Sequence, residues 1–209
     1  YEDEGKTSAI AIKRITEKGC HRIIKSAFEY AKNNNLDKVT VVHKANILKL
    51  TDGLFLETAR KISEGYPEIT LEETIIDNMC MQLVSRPEKY KVIVTMNLYG
   101  DILSDLVAGL VGGLGIAPGA NIGDDIAIFE AVHGSAPDIA GKNIANPIAT
   151  ILSVVMMLRY SFNLNKEADI IEEAIKNVLK DGYRTSDIYT DGYKKVGTIE
   201  MGNEIINRI

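Results

Sequence analysis

The sequence predicts an α/β fold. Stretches with apolar residues at helical spacing alternate with short β-branched runs, each run ends in polar residues just before a helix opens, and no internal repeat or low-complexity linker interrupts the order. Residues 16–33 set Ile23, Ile24, Phe28 and Ala31 among lysines and arginines, the spacing of an amphipathic helix. KVTVVHKAN (38–46) reads as a strand ending in His43, Lys44 and Asn46. A second helix is expected over 54–65, a strand over 70–76 and a helix over 78–85, which Arg86-Pro87 closes because the residue before proline resists the α region. YKVIVTMNL (90–98) is the clearest strand, with Gly100 expected to break it before Asp101 opens the next helix. Small residues dominate 109–123, which predicts a packed helix and loop, and the loop continues around His133. Asn146-Pro147 suits the cap and first turn of an apolar helix over 148–160. Residues 167–180 form an amphipathic pattern with Ile170, Ile171, Ala174, Ile175 and Val178 inward, 181–192 read as loop, and the chain ends in a short helix.

Composition narrows the function. With 209 residues, 45% of them apolar and 25% charged, the chain can bury a core in one large or two small domains. A net charge of -5 and the lack of a basic cluster argue against nucleic acid and anionic membrane as partners. Cys20 and Cys80 have no metal-like spacing and fit reduced thiols, hence a cytoplasmic location, or the mitochondrial matrix in a eukaryote. No apolar run is long enough to cross a bilayer, and YEDEGKTSAI lacks the basic-then-apolar order of a secretory signal. The first residue is not methionine, so the chain reads as a piece of a longer protein.

Chemistry concentrates between Asn97 and Pro147. On a helix, Asp101 and Asp105 lie at i and i+4 on one face, with Ile102, Leu103 and Leu106 marking the buried one. Two carboxylates so placed repel unless a cation lies between them, and hard oxygen ligands suit Mg²⁺ or Mn²⁺. Asp77 adds a third carboxylate at another strand-to-helix junction. Taken alone, the pair also fits a helix cap followed by a solvated acid, Lys44 a solvated cation, and His133 a loop histidine bonded to backbone. A G-x-G-x-x-G fingerprint is absent: after Gly113 and Gly115 the third position is Pro118, which excludes an ordinary Rossmann loop.

Five blocks, VVHKAN, IIDNMCMQL, VTMNLYGDILSD, GIAPGANIGDD and EAVHGSAPDIAGKNIANP, resemble in content and order the signatures of the β-decarboxylating dehydrogenases, the family of isocitrate, 3-isopropylmalate and homoisocitrate dehydrogenases. The resemblance runs from about Ala9 to the C-terminus. Within it, His43 before Lys44, Met96 before Asn97 and the PGAN segment ending at Asn121 are closest to isocitrate enzymes. It implies the isocitrate/isopropylmalate dehydrogenase-like fold, three α-β-α layers with helices on mixed sheets, divided into a small dimer-forming domain (1–111) and the C-terminal part of the large nucleotide-binding domain (112–209).

The resemblance also implies an activity, the NAD-dependent oxidative decarboxylation of isocitrate to 2-oxoglutarate and CO₂. Asp101 and Asp105 would ligate Mg²⁺ or Mn²⁺, with Asp77 supplied by the neighbouring subunit of a homodimer or higher homo-oligomer. Lys44 is similar to the family's catalytic lysine, also reaching across the dimer, and Asn46 to a substrate-pocket residue. His133, Gly134, Ala136 and Asn146 match positions around the adenosine end of the dinucleotide. Asp138 stands where NAD-using members carry an acid, able to accept from a ribose 2′-hydroxyl and to repel a 2′-phosphate, while Ile139 offers no donor to that phosphate. Members of the family are longer. Their upstream part holds the substrate carboxylates and a protonating tyrosine, a role not assigned to Tyr1, so the chain by itself is expected to be inactive. The alternatives are a 3-isopropylmalate, homoisocitrate or tartrate dehydrogenase, or a non-catalytic regulatory subunit of the same fold. Retention of Lys44, Asp77, Asp101 and Asp105 favours the enzyme.

Overall fold

Parallel strand pairing organises the first half of the chain. In the computed structural model, which describes residues 5–209 and so leaves Tyr1 outside the described residues, β1 (Lys38–His43) is the centre of a three-stranded sheet. It pairs in parallel with β2 (Thr70–Ile75) on one side and β3 (Val92–Val94) on the other, setting Val41 opposite both Glu73 and Val94. Parallel strands need crossovers, and after α1 (Glu17–Asn33), which precedes β1, the helix α2 (Thr51–Ser63) supplies the one from β1 to β2. After β2 come α3 (Ile76–Ser85) and one 3₁₀ turn, Pro87–Lys89.

Thr16 caps α1 by accepting from the Gly19 N–H at 3.2 Å, and Cys20, Ile24, Ala27, Phe28 and Ala31 face inward. Ile23, expected inside, is exposed, because it lies a helical step off that stripe. Phe28, Phe55, Ala59, Val39 and Val41 make the core, where the Phe28 and Tyr66 rings stand 5.1 Å apart. Burial and a hydrogen bond donated to Glu29 push the Tyr66 phenol up to about 12.

The third strand is shorter than its apolar run. β3 stops at Val94, and α4 (Asn97–Val111) begins before Gly100, whose N–H donates to the Met96 carbonyl at 2.9 Å. Gly100 therefore sits in a first helical turn instead of breaking the strand, at a cost of about 1 kcal/mol or less. Leu103 is buried on α4, but Ile102 is exposed, contrary to its expected place on the inner face.

The chain divides into two compact units, the first ending at Ser104 and the second beginning at Asp105, so the division falls inside α4. In the second unit, β4 (Pro118–Ile122) and β5 (Ala127–Ala131) form an antiparallel hairpin where the sequence predicted loop. Its strands approach closely: a Cβ on Gly119 would lie 2.7 Å from the Glu130 carbonyl oxygen. The hairpin packs on α5 (Ile148–Tyr160), which packs on α6 (Asn165–Lys180). The Ile148 N–H is capped by Asn146 Oδ1 at 3.0 Å. Ile148, Ala174, Ile175 and Val178 are buried with Val196, Met201 and Ile205, whereas Ile170 is exposed, one step outside the inward stripe of α6. β6 (Tyr183–Arg184), inside the predicted loop, pairs in parallel with β7 (Lys194–Lys195), just past it and ahead of α7 (Thr198–Ile206). Parallel and antiparallel pairings thus occupy separate sheets. No helix among the described residues is long and apolar enough to cross a membrane.

Candidate active site

All three strands of the first sheet run the same way, so their carboxyl ends share one edge, the side of an open α/β sheet where ligands bind. His43 ends β1 directly opposite Ile75, and Lys44 and Asp77 follow at that edge. The Lys44 Nζ donates to Asp77 Oδ1 in a close ion pair. This contact holds the Asp77 carboxyl below the usual carboxylate range. Asp77 also sits in the first turn of α3, where the helix dipole favours an anion.

The turn behind the lysine is fixed as well. His43 is buried, and burial pushes its pKa down. Its Nδ1 accepts from the Ala45 N–H at 3.0 Å, so the neutral ring carries its proton on Nε2. Thr95, just past β3, donates to the Val42 carbonyl at 2.8 Å and ties the two strand ends together. Asn46 is exposed in the turn after Lys44, within two residues of it in sequence.

Asp101 and Asp105 both lie on α4, one turn apart and exposed, and neither forms an ion pair with another described residue. Asp77 is instead engaged by Lys44. Among the described residues, no three His, Cys, Asp or Glu side chains of one chain converge as a metal site. Carboxylates spaced like the pair on α4 suit a hard divalent cation.

The second unit contains a cavity of about 870 Å³, within the roughly 300–1,000 Å³ of small-molecule sites. His133, Gly134, Ala136, Ile139 and Asn146, all singled out in the sequence, line it together with Asn143 and Asp187. Its wall is shaped by backbone more than by charge. Ala136 and Asn143 adopt left-handed conformations at φ 43° and 54°, which bend the segment around the hollow. Asp138 is the exception among the expected cofactor residues. It is exposed on the 3₁₀ turn Pro137–Ile139 and does not line the cavity, because successive residues of such a turn point about 120° apart and Ile139 takes the inward position.

Asp187 was not anticipated. It accepts from Asn146 Nδ2 at 3.1 Å and from Thr185 Oγ1 at 2.6 Å, so the loop after β6 braces the start of α5. A Cβ on Gly115 would come within 2.6 Å of Asp187 Oδ2 and 2.8 Å of Asn146 Cβ, which makes this glycine a requirement of the same wall. Only the residue order TSD, a common loop composition, marked the position in sequence.

The family model of isocitrate/isopropylmalate dehydrogenases matches residues 1–205. The chain belongs to that family. Among its relatives, the 3-isopropylmalate dehydrogenase of Aquifex aeolicus is 50% identical over 209 residues, covering 100% of this chain and 57% of the relative. The probable NAD isocitrate dehydrogenase subunit alpha of Drosophila melanogaster, a mitochondrial protein by its name, is 55% identical over 179 residues, covering 85% of this chain and 47% of its own length. A crystal structure of isocitrate dehydrogenase from Methylococcus capsulatus superimposes with a TM-score of 0.93 at 51% identity, covering 100% of this chain and 61% of that one. The chain thus spans about half to three-fifths of the length of these relatives.

Proposed function

We propose that the protein is the C-terminal part of a metal-dependent dehydrogenase that oxidises and decarboxylates a 2-hydroxy acid, isocitrate, with NAD as hydride acceptor. The observation that carries this reading is the Lys44–Asp77 pair at the carboxyl edge of the parallel sheet, in the chain that also bears Asp101 and Asp105 on α4. In the proposed homodimer, the small domain, residues 1–111, makes the subunit contact. Asp101 and Asp105 of one chain and the partner subunit's Asp77 hold Mg²⁺ or Mn²⁺. Such a cation would polarise the substrate hydroxyl and offset the negative charge that develops as CO₂ leaves.

Lys44, aimed by its ion pair with Asp77, releases its ammonium proton to solvent and in its neutral form takes and then returns the proton of that hydroxyl. Asn46 binds substrate beside it. NAD fits the cavity of the second unit, where His133, Gly134, Ala136 and Asn146 receive the adenosine end. Asp138 and Ile139 set the preference against a 2′-phosphate, Asp138 as a negative charge next in sequence to the lining residue Ile139. The protein works in a compartment with reduced thiols, the cytoplasm or the mitochondrial matrix.

The relative from Aquifex aeolicus, alike across this whole chain, supports 3-isopropylmalate as the second reading. The test is a reduction assay on the full-length protein with isocitrate, homoisocitrate, 3-isopropylmalate and tartrate, each with NAD and with NADP. Fastest turnover with isocitrate and NAD is expected. Faster turnover with 3-isopropylmalate selects the second reading, and no reduction with any pair contradicts the enzyme.

A further inference from the structure

A buried carboxylate behind the lysine has a role that the acids already described do not cover. Asp52 lies in the first turn of α2 with a fully buried side chain, and both of its oxygens are saturated. Oδ1 accepts from Lys13 Nζ at 2.6 Å and from Thr51 Oγ1 at 3.1 Å. Oδ2 accepts from the Lys44 backbone N–H at 2.8 Å and from the Tyr99 hydroxyl at 3.0 Å. Four donors fill the four sites that an ionised carboxylate offers. Burial alone would raise the Asp52 pKa, but the Lys13, Lys44 and Tyr99 donors outweigh it and hold the group below the usual range.

The geometry is specific to Lys44. Its N–H is the first beyond the β1 ladder, which ends at His43, and Asp52 accepts it from a helix whose own N–H at that residue is bonded to the Leu48 carbonyl at 3.0 Å. Lys44 is therefore gripped at both ends, the backbone by Asp52 and the Nζ by Asp77. The other bond to Oδ2 comes from Tyr99 in the first turn of α4, two residues before Asp101. Lys13, stacked 4.8 Å from the Tyr99 ring centroid, completes the cluster.

We propose that Asp52 is a positioning residue, which fixes the Lys44 backbone and ties it to the first turn of α4 so that the lysine meets its substrate in one geometry. This rests on the proton-transfer reading of Lys44 given above. A hydrogen bond that only stabilised the fold would leave turnover per folded enzyme unchanged when removed, whereas a misplacement of about 1 Å at a reacting group costs roughly a hundredfold in rate.

The test compares Asp52→Ala, Asp52→Asn and Lys44→Met in the full-length protein, with kcat and the KM for NAD measured per folded enzyme. Asp52→Ala, which accepts nothing, is expected to lower kcat about tenfold or more with the KM for NAD unchanged. Asp52→Asn keeps an acceptor for the Lys44 N–H and should stay within about threefold of the parent. Wild-type kcat in Asp52→Ala beside an inactive Lys44→Met overturns the positioning role alone, while wild-type kcat in Lys44→Met overturns the reading beneath it. Should Asp52→Ala fail to fold, amide hydrogen exchange on the unmodified protein decides. The Lys44 amide is expected to exchange at least about tenfold more slowly than an open-loop amide, and an unprotected rate overturns the proposal.

Discussion

The two units handle their polar residues in opposite ways. At the end of β1, charge is held by charge: Lys44 is bonded at its backbone and its Nζ, Asp77 is paired, and Asp52 has no free acceptor. Around the cavity of the second unit, the residues proposed to receive the cofactor include Gly134, Ala136 and Ile139 beside His133 and Asn146, and left-handed backbone at Ala136 and Asn143 does the shaping. The contrast teaches how to read each region. Proton chemistry needs a side chain whose direction is over-determined, and a dinucleotide's adenosine end needs room, close backbone and a few donors. Damage should follow the same line, with rate effects in the first unit and affinity effects in the second.

The largest effect is expected from Lys44→Met in the full-length protein. Loss of a positioned proton-transfer group lowers kcat by about a hundredfold or more, with the KM for NAD unchanged, as steady-state kinetics will show. In the second unit the corresponding break is Gly115→Ala, whose new methyl carbon would meet Asp187 and Asn146. Overpacking of this kind costs about 1–3 kcal/mol, so the variant should melt earlier and bind NAD more weakly while kcat at saturating NAD changes little. Asp138→Lys with Ile139→Tyr sharpens the same side of the comparison. The ratio of kcat/KM for NAD over NADP should fall by about tenfold or more, the effect of trading a repelling charge for an attracting one beside a phosphate.

The smallest effect is one of pH on stability, and it belongs to the first unit. Burial depresses the His43 pKa in the folded chain, so the unfolded chain takes up the proton first and stability falls as pH drops below about 6.5. Asp52 and Glu73, both depressed, add stability that is present above the ordinary carboxylate range and lost as pH falls through their lower folded values. Urea midpoints measured between pH 8 and 5 should decline on the acid side, and His43→Asn should flatten that decline.

Much of this was legible because it is local. Helical spacing gave α1 and α6, the β-branched run gave β1 and the polar tip with Lys44, and Asn146-Pro147 marked the start of α5. The elements that were misread depend on partners that local composition does not mark. The β4–β5 hairpin hid behind Pro118, Gly119 and Gly123, residues that read as turn although Gly119 is needed for close strand approach. Gly100 looked like a break because the apolar run before it did not reveal that α4 had already begun. Asp52 lay just ahead of the helix expected from residue 54 and resembled any acid before a helix, and Asp187 any acid in a loop. Their meaning comes from Lys44, eight residues from Asp52, and from Asn146, forty-one residues from Asp187.

The central claim is that Lys44 and Asp77 of one chain complete a site whose Asp101 and Asp105 come from another. Co-expression of full-length Lys44→Met and Asp101→Asn chains, each inactive alone, tests it directly. Random pairing makes half of the dimers mixed, and each mixed dimer regains one intact site of two, so about a quarter of the parent activity is predicted. Activity no higher than that of the two variants expressed separately would contradict a site shared between chains.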